Sequence, residues 1–172
     1  MKHSRLLLCG LLCLSLQTTA SYATEPVTPQ PTEQKFAKHN EDYIKTRMKL
    51  IYALVFNSVE TGHYAIADYF FSDEFRALYE TAESLTPYGE IGFYDFDPWV
   101  RTQNYTHPCA DIVKAYDITM KSALVDVVVY PTSETENAIE VKVRLRFEHG
   151  DWFVADFNND LNGLQRYVSN LQ

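Results

Sequence analysis

Apolar residues at Ile44, Met48, Ile51, Val55 and Val59 step by four, three, four and four. That spacing lines one face of an amphipathic helix, which Tyr52 and Phe56 widen. The pattern predicts a long helix from near Glu33 to Thr61-Gly62, where glycine is a natural stop. Ser72 then suits an N-cap, with Asp73 and Glu74 placed where the helix dipole favours acidic groups. Phe75, Leu78, Tyr79 and Ala82 continue at helical spacing, and the short stretch Tyr64 to Phe71 before them is predicted helical too.

Beyond residue 108 the period changes from 3.6 to 2. Strands are expected at Asp111–Thr119, Ala123–Tyr130 and Ala138–Glu148, with a polar turn at Thr132–Asn137. The third alternates without a slip. Ile139, Val141, Val143, Leu145 and Phe147 share one face, and Glu140, Lys142, Arg144, Arg146 and Glu148 the other. Such a strand has one buried and one wet face. His149-Gly150 closes a tight hairpin onto Asp151–Phe157. Asn159 or Asp160 then caps a short helix carrying Leu161, Leu164, Val168 and Leu171 inward. Helices followed by a meander of about four antiparallel strands describe an α+β domain, and the lack of βαβ alternation excludes a dinucleotide-binding doubly wound sheet.

The N-terminus has a different character. Lys2, His3 and Arg5 precede an apolar run from Leu6 to Leu16, and Ser21-Tyr22-Ala23 follows. This is the layout of a cleavable secretory signal peptide over residues 1–23, cut after Ala23, with Ala20 as the alternative. About eleven apolar residues are too few for a bilayer span, which takes roughly 20. Cys9 and Cys13 follow leucine pairs rather than small residues, so no lipid anchor is expected. Residues 24–32, TEPVTPQPT, are predicted to be a disordered proline-rich tether. Residues 33–172 form the single domain. The expected location is the periplasm.

Charge narrows the partners. The chain carries 15 Lys and Arg against 23 Asp and Glu. Loss of Lys2 and Arg5 with the leader leaves 13 against 23, a balance of −10. Nucleic acid and anionic lipid demand the opposite sign. A basic protein partner is compatible, and the charge also serves solubility. Cys109 is the one cysteine outside the leader, expected either as a buried inert thiol or as an intermolecular partner.

Between Ser84 and Pro108 no period is visible, yet GFYDFDPWVRTQNYTHPCAD, residues 92–111, is rich in aromatics. Connections this long are usually functional or disordered, and these side chains are too apolar to prefer water. The loop is therefore packed, either closing the end of the helix–sheet sandwich or serving as a lid or recognition surface. Phe93, Tyr94, Asp95, Asp97, Trp99, Gln103 and Tyr105 are the candidate binding residues. A calcium loop counted from Asp95 fails, because Trp99 and Val100 stand where an oxygen ligand and a glycine are needed. Asp97-Pro98 reads instead as a turn opener. No metal or cofactor is expected. HExxH, GxSxG and glycine-rich phosphate loops are absent, and the histidines are scattered, with His63 at a helix end and His149 in a turn. No catalytic residue is assigned.

The order of a secretion leader, the helix segments YALVFNSVE and YFFSDEFRALYE, then DFDPWVRTQNY and VRLRFEHGDWFVADF resembles a bacterial exported family, number 3828 among domains of unknown function. That family belongs to the cystatin-like, nuclear-transport-factor-2-like α+β superfamily. The likeness covers about Tyr43 to Leu171. Its most specific part is the Asp97-Pro98 turn with Trp99 after it and Gln103 downstream. It implies a curved antiparallel sheet wrapped on helices, with a cavity between them, and it brings no activity with it. The functional expectation is a non-enzymatic binding protein, in a specific form an immunity or inhibitor protein against a basic cell-wall-degrading toxin. The alternative is a small-molecule carrier or enzyme using the cavity, with Asp95, Asp97, Gln103 and Tyr105 as its polar lining.

Overall fold

A computed structural model describes residues 37–63, 65–132 and 135–172. The expected leader, the tether and the helix start near Glu33 lie outside the described residues. Helix α1 spans Glu41–Glu60, and the Asn40 side chain caps it by accepting the Tyr43 N–H at 2.8 Å. Ile44, Met48, Ile51, Val55 and Val59 are all buried, together with Tyr52 and Phe56. The helix ends at Thr61, and Gly62 turns away at a φ of +75°. A single turn, α2, covers Ala65–Asp68, and α3 covers Asp73–Leu85. Ser72 caps α3, its buried Oγ accepting the Phe75 N–H at 3.4 Å.

Four strands follow: β1 (Cys109–Tyr116), β2 (Ser122–Tyr130), β3 (Ile139–Glu148) and β4 (Asp151–Phe157), then helix α4 (Leu161–Leu171). They form one antiparallel sheet in the order β1-β2-β3-β4. Val141, Val143 and Leu145 of β3 are buried while Lys142, Arg144 and Arg146 are exposed, as the alternation demands. His149 and Gly150 both take left-handed angles, φ +50° and +79°, the hairpin turn whose twist matches its strands.

The helices cover one face of the sheet. Helix α1 packs on β1, while α3 and α4 pack on each other and on β4. The free edge of β4 is met by residues 70–72: the Val154 N–H donates to the Phe70 carbonyl at 2.8 Å, and the Ser72 N–H to the Val154 carbonyl at 2.7 Å. Ser72 thus joins sheet to helix, which is why so short a polar side chain is fully buried.

Four details depart from the sequence reading. β1 begins at Cys109 rather than Asp111, because pairing with β2 runs out to Tyr130, and it ends before Asp117, whose φ of +51° starts the turn. Cys109 is exposed, not buried; Pro108 takes the interior position instead. Asp160 stands at the α4 N-cap but does not cap with its side chain. Its carboxylate is drawn to Arg101, and Asp156 accepts the Leu161 N–H at 3.0 Å in its place. Leu171 lies at the exposed end of α4 rather than inward.

Candidate interaction surface

The loop after α3 is a folded object. Asp97 Oδ1 accepts the N–H groups of Trp99 (2.8 Å) and Val100 (3.1 Å), and its carbonyl accepts the Arg101 N–H at 2.7 Å. This is the turn that Asp-Pro favours. Tyr105 adds a side-chain hydrogen bond to the same carboxylate, yet burial still holds Asp97 above the usual carboxylate range. Arg101, in a left-handed conformation, pairs with Asp160 at 2.6 Å and lies over the Phe96 ring at 4.7 Å. Gln103 donates to the Asp95 carbonyl. Phe93 packs on α4 against Tyr167, where Gly163 leaves room: a Cβ there would sit 3.1 Å from the Phe93 ring.

The seven candidate residues therefore divide. Trp99 is 1 % exposed and belongs to the core, stacked on Phe71 and edge-on to Tyr52 and Phe157. Phe93, Tyr94, Asp97 and Tyr105 are half-buried supports of the loop. Asp95 and Gln103 are exposed. Asp95 and Asp97 do not converge, since one faces solvent while the other is spent on the turn.

The loop supports a surface that its own sequence does not announce. Tyr79 of α3 lies against Tyr94 (6.1 Å) and Phe71 (5.7 Å). Its hydroxyl is pushed up to about 12 by burial, and then by the charges of Glu83, Asp68 and Asp97. Outside Tyr79, Asp68 of α2 faces Glu80 and Glu83 of α3. Burial raises the Asp68 carboxyl and Glu80 and Glu83 raise it further, while Arg76 opposes them. Arg76 is already engaged by Asp73 at 3.1 Å and the Phe71 carbonyl at 3.2 Å. Asp68, Arg76 and Glu80 line a hollow of about 250 Å³ with Ala65 and Tyr69. Glu83 reaches along α3 to Gly92, so the acidic face runs on to the start of the loop. Tyr69, Tyr88 and Ile91 are exposed at 69 %, 107 % and 72 % on these same segments. The result is an acidic surface dotted with large apolar side chains.

Other polar groupings lie elsewhere. His107 meets Glu60 at 2.8 Å and His149 meets Asp73 at 2.8 Å, both on the surface. Asp73, Glu148 and His149 bring potential metal-ligand atoms within 4.8 Å of one another. Their carboxylates already accept from the Asp73 N–H and pair with Arg76 and Arg146. Among the described residues no helix is long and apolar enough to cross a membrane.

No family model, curated protein or solved structure matches the chain.

Proposed function

We propose that this is a periplasmic, non-enzymatic binding protein whose α2–α3–loop face holds a basic protein partner. The observation that carries the reading is the cluster of Asp68, Glu80 and Glu83, with exposed Tyr69 in the same hollow and exposed Ile91 next to Gly92, which Glu83 approaches. Mutually repelling carboxylates facing one committed arginine gain from an incoming Lys or Arg, and exposed aromatics supply the anchors that hold such interfaces. The form of binding that fits best is immunity or inhibition, with a basic cell-wall-degrading toxin as the target. A small stable domain need only cover the toxin's substrate-binding surface, and complementary charge speeds the encounter.

The interior favours this reading over chemistry inside the fold. Met48, Ile51, Val55, Phe71, Phe75, Trp99 and Phe157 belong to one apolar core, and the hollow of about 340 Å³ between α1 and the head of β1 is lined by Tyr52, Phe56 and Pro108 with no pair of catalytic groups among its described residues. The test is capture of partners from envelope extract by wild type and by a Glu80→Lys, Glu83→Lys double variant. A basic protein retained by wild type at low salt, released at high salt and missed by the variant would support it. Equal capture by both would sink it.

A further inference from the structure

A trough lies on the sheet face that carries the charged row of β3, flanked by Glu74 and Leu161 of the neighbouring helices. In a chain rich in carboxylates, β3 places Lys142, Arg144 and Arg146 on one exposed row. Arg144 and Arg146 are two residues apart, so their stems rise about 7 Å from each other on the same face. Both line a trough of about 370 Å³, with Ser122 and Leu124 of β2, Ala155 of β4 and Leu161 of α4. Glu74 and Asp117 also line it.

The two guanidiniums differ in their partners. Arg146 is met by Glu74 at 2.6 Å and by Glu148 at 3.7 Å. Arg144 donates to a neutral acceptor, Asn159 Oδ1, at 3.1 Å. The nearest acid to Arg144 across the strand pair is Asp156, which is buried and accepts the Leu161 N–H. Among the described residues no exposed carboxylate is bonded to Arg144; its charge also favours the buried Asp156 carboxylate, and its outer side lies beside a hydroxyl and an apolar wall.

We propose that this trough binds an organic monocarboxylate: the carboxylate on the Arg144 fork with help from Ser122, and its apolar body against Leu124, Ala155 and Leu161. A guanidinium fork matches a carboxylate in two parallel hydrogen bonds. The flanking Glu74 and Asp117 disfavour a multiply charged phosphate, and the apolar wall favours an anion that carries carbon.

The experiment is a titration of the isotopically labelled protein with butyrate, acetate and inorganic phosphate, followed by NMR at the arginine Nε–Hε groups and the Ser122 and Leu124 amides. Butyrate should give saturable shifts at Arg144, Ser122 and Leu124, and bind up to about fifteenfold more tightly than acetate, since two more CH₂ groups are buried. Arg144→Gln should weaken butyrate about tenfold or more in a protein that still melts cooperatively. Glu74→Gln should strengthen it, because Arg146 keeps only its longer contact with Glu148 and a repelling charge is removed. Phosphate binding as well as butyrate, shifts spread evenly over all cationic side chains, or an Arg144→Gln variant that binds like wild type would each overturn the proposal.

Discussion

Trp99 stacks on Phe71 with ring centroids 5.4 Å apart and planes inclined by 10°. The contact joins the long loop to the segment that closes the edge of β4, so the loop is anchored at the centre of the core. Trp99→Ala is expected to cost about 3–5 kcal/mol of stability, as large-to-small changes at buried aromatics do. Denaturant melting of both proteins measures it. A loss under 1 kcal/mol would mean that the ring is not the anchor described.

The Arg101–Asp160 pair ties the other end of the loop to α4 across 2.6 Å, with side chains 12 % and 21 % exposed. Asp160→Asn should destabilise by about 1.5–3 kcal/mol, the usual worth of a hydrogen bond to a charged group. The effect should show little salt dependence, because the pair is mostly shielded from solvent. A cost that vanished at high salt would place the pair at the surface instead.

Asp68 predicts a pH effect of definite sign. Its carboxyl is raised in the folded protein by burial and by Glu80 and Glu83. The folded state therefore holds that proton more firmly than the unfolded chain does. Stability falls as pH rises from the ordinary aspartate value through the raised one. Asp68→Asn removes this loss. The variant should match wild type below that interval and exceed it above, toward neutral pH. Urea melts at a series of pH values decide, and a variant weaker than wild type at neutral pH would contradict the repulsion described.

Cys109 gives a simple check of the strand start. Because its thiol is exposed at the head of β1, it should react stoichiometrically with a disulfide reagent in the folded protein. Reaction only after denaturation would return it to the interior.

The elements that were legible in the sequence are those whose burial repeats with a period. The steps from Ile44 to Val59 and the alternation from Val141 to Leu145 each commit one face to the core, and no tertiary detail was needed to see it. Ser72 and His149-Gly150 were legible for another reason, since capping and left-handed turns act through local chemistry. Trp99 was not placed from sequence, because an aromatic in an aperiodic loop reads the same whether it faces in or out. The sequence leaves Cys109 open between a buried thiol and an intermolecular partner, because the start of β1 depends on how far β2 extends, a non-local matter; its exposure removes the first alternative. The acidic surface was the least legible: Asp68, Glu83 and Ile91 lie on separate segments and meet only through packing. Two signals were nonetheless present. Tyr88 interrupts a polar turn, and Glu80 and Glu83 share the wet face of α3, in which Arg76 is the one basic residue.

The central claim is that this acidic, aromatic face binds a basic protein through charge. Its most direct test is the affinity of an envelope-captured basic partner for wild type and for the Glu80→Lys, Glu83→Lys variant, at low and at physiological salt. The account predicts tight binding by wild type that weakens with salt and with falling pH as Asp68 is protonated, and a loss of at least about tenfold in a variant that melts normally. A normally folded variant that binds the partner as tightly as wild type at both salt concentrations would contradict it.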